Sequence, residues 1–308
     1  MMPIVDELIA EQLSFEKEQI HLITTLYGVL MPRKTSKHHL ELAKCFELMK
    51  SSTLIMDDFL DKSPIRNGIP SLLSRFGEEQ TVLIAELLKS SASIAAIQAL
   101  EKLPEIDSKT RIKCMLVFED TYRTVCLGQL EDIRVTKDVD KWSFTEKGYY
   151  GMIQKTTASF IQLPLIIGSI INGFNKPTYN LLNNYGLNIG MAYQIKDDVV
   201  DLISDTVSMG KLVGGDIKEK KVRLPIIHAL RFGSAKQVDK IKIVYSKKDV
   251  TENDIKDVIS VLNEIGSIQY SKRKAKYYCL KAINSVKQLK IDRLKQPLKD
   301  IAALLIPE

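Results

Sequence analysis

The sequence has few of the residues that mark small, cross-linked or metal-clustered domains. Only four cysteines occur in 308 residues, Cys45, Cys114, Cys126 and Cys279, and no two form a CxxC pair. This argues against a disulfide scaffold or a structural zinc site and fits a reducing cytoplasm. Glycine (15) and proline (10) are too sparse to punctuate many short strands, and alternating runs bounded by turn dipeptides are hard to find. The four histidines form no convincing Ser/His/Asp or Cys/His set. No GxxxxGK[ST] string occurs, which excludes a P-loop. Aromatic residues are only 7%, and no zinc-finger or RNP-like signature is present, so nucleic acid is not an expected partner. The longest uncharged apolar stretch, around Leu163 to Ile171, is too short to span a bilayer. No basic region followed by an apolar run opens the sequence, so no signal peptide is expected.

What is present is helical periodicity. Between Leu40 and Leu60 the apolar positions Leu42, Ala43, Phe46, Met49, Ile55 and Met56 fall mostly on one stripe. Similar stretches cover about 4–30, 78–102, 107–133, 143–172, 177–203, 217–232, 252–265, 268–288 and 293–305. The breaks carry Pro or Gly, as at Met31-Pro32, Ser63-Pro64 through Pro70, Leu103-Pro104 and Gly210 through Gly215. No flexible linker and no internal repeat is visible. The pattern predicts one all-α domain over 1–308, built of about ten helices.

Two acidic clusters carry the chemistry. Asp57-Asp58-Phe59-Leu60-Asp61 ends an apolar helix, and the i, i+4 spacing puts Asp57 and Asp61 on one face with Asp58 on the flank. Asp197-Asp198-Val199-Val200-Asp201 repeats the spacing after a second apolar helix. Crowded carboxylates repel one another, and hard Mg²⁺ suits their oxygens. Six carboxylates facing a cavity would need several divalent ions, and a diphosphate would complete their shells. Basic residues follow each cluster at loop positions. Arg66 and Arg75 follow the first; Lys211, Lys218, Lys220, Lys221 and Arg223 follow the second, around Gly210 and Gly214-Gly215.

These motifs stand in an ordered string. Asp57-Asp58-Phe59-Leu60-Asp61 is followed by Pro64, Arg66, Gly68 and Pro70, then by Gly128-Gln129-Leu130-Glu131-Asp132 and Lys155-Thr156. Tyr193-Gln194 and Asp197 to Asp201 come next, then Gly210-Lys211, Gly214, Asp216, Lys221 and Pro225. From about residue 40 to 230 the chain resembles a trans-isoprenyl diphosphate synthase of the polyprenyl synthetase family. The resemblance implies a bundle of ten or more helices around a central cavity, as a homodimer. It implies roughly three Mg²⁺ ions held by Asp57, Asp58, Asp61, Asp197, Asp198 and Asp201 against an allylic diphosphate. Arg66, Lys155, Lys211 and Lys221 would be the cationic side of the clamp, with Gln194 and Thr156 also at the substrate. Neutralising the diphosphate makes it a leaving group, and isopentenyl diphosphate then attacks the allylic cation.

Departures from the family pattern cluster on the acceptor. The upstream GGKRxRP-like segment reads Tyr27-Gly28-Val29-Leu30-Met31-Pro32-Arg33-Lys34, the paired arginines are reduced to Arg66-Asn67, and Lys50 stands where the family often has His. Lys50 keeps a positive charge able to bind phosphate. Two alternatives therefore stay open: a terpene synthase or prenyltransferase that does not use isopentenyl diphosphate, and a partner subunit of a heteromeric synthase. Product length has its own handle. Ser52 and Thr53, one turn before Asp57, are small, and the next bulky candidates are Met49 and Phe46. A pocket for about twenty carbons or more is expected, one helical turn deeper than an aromatic floor at Ser52 would leave.

The net charge of +6 is unevenly spread. Residues 267–300 hold ten Lys or Arg against two acids, 10 − 2 = +8, which leaves 34 − 36 = −2 for the rest. The basic end admits a weak attraction to anionic lipid, so peripheral membrane contact is expected rather than membrane insertion.

Overall fold

The structure, a computed structural model, describes residues 17–31, 36–66, 68–138, 141–203 and 213–307. The chain forms two compact units, each drawn from three segments. The first takes Met1–Arg123, Phe160–Gly186 and Ser285–Lys299; the second takes Thr124–Ser159, Leu187–Asn284 and Asp300–Glu308. As the periodicity predicts, the described elements are helices, with one two-residue hairpin as the exception.

The first unit begins with α1 (Lys17–Leu30) and α2 (Lys37–Asp61). α2 stops at Lys62, whose left-handed backbone turns its N–H back to the last-turn carbonyls. The hairpin β1 (Ile65–Arg66) and β2 (Ile69–Pro70) follows, with Arg66 opposite Ile69. α3 (Leu72–Glu101) starts under a Ser71 cap that accepts from the Ser74 N–H and is kinked at Gly77, whose backbone (φ 77°, ψ 178°) is not helical, so its long run begins at 78 as the periodicity predicts. Its inward stripe is small: Ala85, Leu88, Ala92, Ala96 and Ala99 are buried, which lets α2 and α3 pack closely. α4 (Ser108–Lys137) contributes its first half here, tied to α3 where Glu119 accepts from Lys89 Nζ at 2.5 Å and Ser93 Oγ at 2.7 Å. Tyr27, Phe46 and Phe118 form an aromatic spine, with ring centroids 5.2 Å and 6.1 Å apart. α6 (Ser159–Ile171) and the start of α7 (Lys176–Ile203) complete the core with Leu163, Leu165, Leu182 and Tyr185. By length and composition alone α3 is apolar enough to cross a membrane.

The second unit is built on α5 (Glu146–Ile153), a π-helical turn (Gln154–Ala158), the rest of α7 and a run of C-terminal helices. These are α8 (Gly215–Lys218), α9 (Leu224–Phe232), α10 (Ala235–Ser246), α11 (Glu252–Ile265), most of α12 (Ser267–Lys287) and the end of α13 (Asp292–Leu304), whose residues up to Lys299 belong to the first unit. Their caps are readable: Pro225 opens α9, capping boxes at Ser234/Gln237 and Thr251/Asp254 open α10 and α11, and Gly266 closes α11. One apolar cluster joins Tyr149, Met152, Ile195, Val199, Leu224, Ile241, Tyr245, Val258 and Leu262. Two expectations change. The stretch 217–232 is divided, because Lys220 adopts a left-handed backbone and residues 219–223 form a turn. α10 is not in the periodic reading, because its apolar side is thin (Ile241, Val244, Tyr245) among lysines.

Candidate active site

The first aspartate cluster forms the last turn of α2. Asp58 is buried and accepts from Arg66 Nε at 2.6 Å, while Arg66 Nη2 lies 3.5 Å from Asp57. The hairpin exists to do this: it returns the chain so that Arg66, five residues past Asp61, covers the carboxylates. Its guanidinium is mostly buried, so the pairing is worth more than a surface bridge. Lys50 lies two turns earlier on the same face, about 10 Å along the axis, with its ammonium 5.4 Å from the Phe160 ring. Ser52 is fully buried and donates to the Met49 carbonyl at 2.8 Å; Thr53 donates to the Lys50 carbonyl at 2.7 Å. Met49 and Phe46 are also fully buried.

The second cluster sits near the end of α7 inside a hydrogen-bonded web. Asp198 Oδ2 accepts from the buried Tyr149 hydroxyl at 2.5 Å, and Oδ1 from Gln194 at 2.8 Å. Gln194 is in turn fixed by Thr157, whose hydroxyl donates to its Oε1 at 2.5 Å. Asp201 accepts the Gly215 and Asp216 N–H groups at 3.1 Å and 3.2 Å. Asp197 is exposed. Burial, opposed only in part by Arg223, pushes the Asp198 carboxyl up to about 7; burial and the Asp216 charge push Asp201 up to about 8. Arg223 holds Asp132 through two bonds of 2.8 Å and 2.9 Å, and its Nε lies 3.6 Å from Asp216.

Two glycines explain how the neighbouring basic residue reaches this region. A Cβ on Gly128 would lie 2.7 Å from Lys155 Cβ and Thr156 Cγ2, and one on Gly190 would lie 2.3 Å from Ala158 Cα. Only glycine lets α4 and α7 approach the π turn so closely. Lys155 then pairs with Glu131 at 2.6 Å, and Thr156 donates to the Met152 carbonyl. Lys221 is buried and paired with Glu219 at 2.7 Å. Lys211, Arg33, Lys34 and Asn67 lie outside the described residues.

Among the described residues no three His, Cys, Asp or Glu side chains are gathered tightly enough to cage a metal by themselves. Asp58, Asp198 and Asp201 are instead directed at Arg66, Tyr149, Gln194 and backbone N–H groups. The donor set nonetheless fits Mg²⁺. It is all oxygen, and Mg²⁺ ordinarily takes one or two carboxylates and fills its octahedron with water and phosphate oxygens. Buried carboxylates with raised proton affinity are also groups that a divalent cation would relieve. Tyr149 and Thr157 carry no sequence motif and are not expected at the site; Asp132 stands in the motif string and Arg223 among the basic residues after the second cluster, but their pairing across 91 positions is not readable there.

The family model for polyprenyl synthetase matches residues 19–262. A short chain isoprenyl diphosphate synthase of Methanothermobacter thermautotrophicus is 32% identical over 229 residues, covering 74% of this chain and 67% of that protein. A geranylgeranyl diphosphate synthase of Saccharolobus solfataricus is 29% identical over 269 residues, covering 86% and 78%. Among solved structures, a polyprenyl synthase from Caulobacter crescentus, complexed with calcium and isoprenyl diphosphate, superposes with a TM-score of 0.87. That likeness covers 100% of this chain and 90% of the other at 20% identity, and it speaks to the fold.

Proposed function

The chain belongs to the polyprenyl synthetase family of prenyl diphosphate synthases, and on that premise we propose that it joins an allylic prenyl diphosphate to isopentenyl diphosphate with the help of Mg²⁺. The observation that carries the reading is the pair of DDxxD clusters, each with a basic partner already in place, Arg66 at the first and Arg223 near the second. Asp57, Asp58, Asp61, Asp197, Asp198 and Asp201 are assigned as the ligands. Bound Mg²⁺ supplies the charge that turns the diphosphate into a leaving group. The chain's own residues do the rest. Arg66, Lys155, Lys211 and Lys221 meet phosphate oxygens, while Gln194, held by Thr157, orients Asp198. Thr156 adds a hydroxyl beside Lys155. No protein nucleophile is required, because the acceptor double bond attacks the allylic carbon and the proton leaves with the departing diphosphate.

The product is an all-trans prenyl diphosphate of about twenty carbons or more, since Ser52 and Thr53, about one turn before Asp57, are small. The chain works in the cytoplasm, a reading supported by its four cysteines, none of them in a disulfide and three of them buried. It works as a homodimer. The outward stripe of α3 exposes Leu83 (63%), Leu87 (49%), Ile94 (54%) and Ile97 (46%), and α4 adds Ile112 (62%) and Leu116 (65%). An apolar stripe of this length calls for a cover, and a second copy supplies a matching one.

The altered acceptor region keeps a second reading in play, in which a prenyl diphosphate is ionised without isopentenyl diphosphate. Asp57→Ala and Asp197→Ala should each abolish prenyl transfer while leaving the helical content unchanged. A fully active double variant would refute the assignment of the clusters.

A further inference from the structure

We propose that the outward face of α12, together with the end of α9, docks the protein on membranes rich in anionic phospholipid. The residues of this surface are distinct from both aspartate clusters. α12 carries six Lys or Arg in Ser267–Lys287 and no acid. Arg273, Lys276, Tyr277, Leu280 and Lys281 are all exposed and recur at i, i+3, i+4, i+7 and i+8, which is one helix face. The face is not merely a solvated charge run, because apolar groups stand among the cations. Tyr277 is 52% exposed and Leu280 46%. The Lys281 ammonium sits 5.2 Å from the Tyr277 ring centroid.

The surface continues onto α9. Phe232 is 60% exposed at the helix end, with the Arg231 guanidinium 5.2 Å from its ring centroid. The His228 ring bridges Phe232 and Tyr270, at 4.7 Å and 4.2 Å, and the Arg273 guanidinium lies 6.0 Å from the Tyr270 ring centroid. Two apolar anchors, Phe232 and the Tyr277–Leu280 pair, thus lie among Arg231, Arg273, Lys276 and Lys281. Basic residues at headgroup level with aromatic and leucine side chains between them are what an interfacial surface requires. Each basic residue near an anionic leaflet strengthens partitioning by about fivefold, the equivalent of about 1 kcal/mol.

The test is co-sedimentation of the full chain with phosphatidylcholine vesicles, with and without about one third phosphatidylserine, over a range of salt. Binding only to the anionic vesicles, weakening steeply with salt, is expected. Lys276→Glu/Lys281→Glu should lower it by more than tenfold, and Tyr277→Ala/Leu280→Ala should lower it at fixed charge, with circular dichroism unchanged for both. Equal binding to neutral and anionic vesicles, no binding to either, or full binding by the Lys276→Glu/Lys281→Glu variant would overturn the proposal. So would binding of a random RNA by this face with the vesicles untouched, which would assign it to nucleic acid.

Discussion

Arg223→Met is the most informative single change outside the aspartates. The guanidinium is 12% exposed and makes two short bonds to Asp132, itself 10% exposed. Its Nε has no hydrogen-bond partner; the nearest acceptor is Asp216 at 3.6 Å. Removing the arginine leaves a buried, uncompensated carboxylate at Asp132 and takes a positive charge away from Asp216 and Asp198. Breaking a buried pair in this way costs about 3–5 kcal/mol, against at most about 1 kcal/mol for a surface bridge. Equilibrium unfolding in urea, read by circular dichroism, should show that loss. Arg223→Lys should fall between, because an ammonium keeps the charge but cannot span both carboxylate oxygens. Asp132→Asn combined with Arg223→Met should cost less than the sum of the single changes by about 2 kcal/mol. A loss under about 1 kcal/mol for Arg223→Met, or strictly additive effects, would refute the account of this pair.

Three further outcomes are expected. Ser52→Phe should shorten the product, and because Ser52 is fully buried the extra volume should also cost about 1–3 kcal/mol; an unchanged product distribution would sink the floor assignment. Without metal, stability should fall as pH rises from about 4 to about 8 and level off above that. The folded Asp198 and Asp201 hold protons above the usual carboxylate range, so their contribution is present at acid pH and is lost as they ionise. Thermal melts in chelator should show that fall and melts in Mg²⁺ should largely abolish it; a midpoint that rises with pH in chelator would contradict the sign. Leu83→Glu/Ile94→Glu should convert a dimer to a monomer in sedimentation equilibrium, and a monomeric parent chain would end the dimer proposal.

What could be read in the sequence is what lies within one helical turn or one short loop. The two aspartate clusters were legible because i, i+1, i+4 spacing fixes their shared face whatever the rest of the chain does. Arg66 was legible because it follows the first cluster directly. Tyr149 was not: it reaches Asp198 across 49 positions, and no local pattern announces it. Asp132 and Arg223 are 91 positions apart, so the bond that closes them depends on tertiary packing. The π turn at Gln154–Ala158 lies inside a continuous helical pattern, and only the structure shows Gly128 and Gly190 brought close against it. α10 was missed for the opposite reason, since lysines crowd the positions where a broader apolar stripe would have marked it.

The central claim is that isopentenyl diphosphate is consumed. The measurement is incubation of the purified chain with Mg²⁺, farnesyl diphosphate and isotopically labelled isopentenyl diphosphate, followed by mass analysis of the prenyl products. The account predicts label in a prenyl diphosphate at least one five-carbon unit longer than the starting chain. Label that stays wholly in isopentenyl diphosphate, while a hydrocarbon or alcohol forms from farnesyl diphosphate, would contradict it.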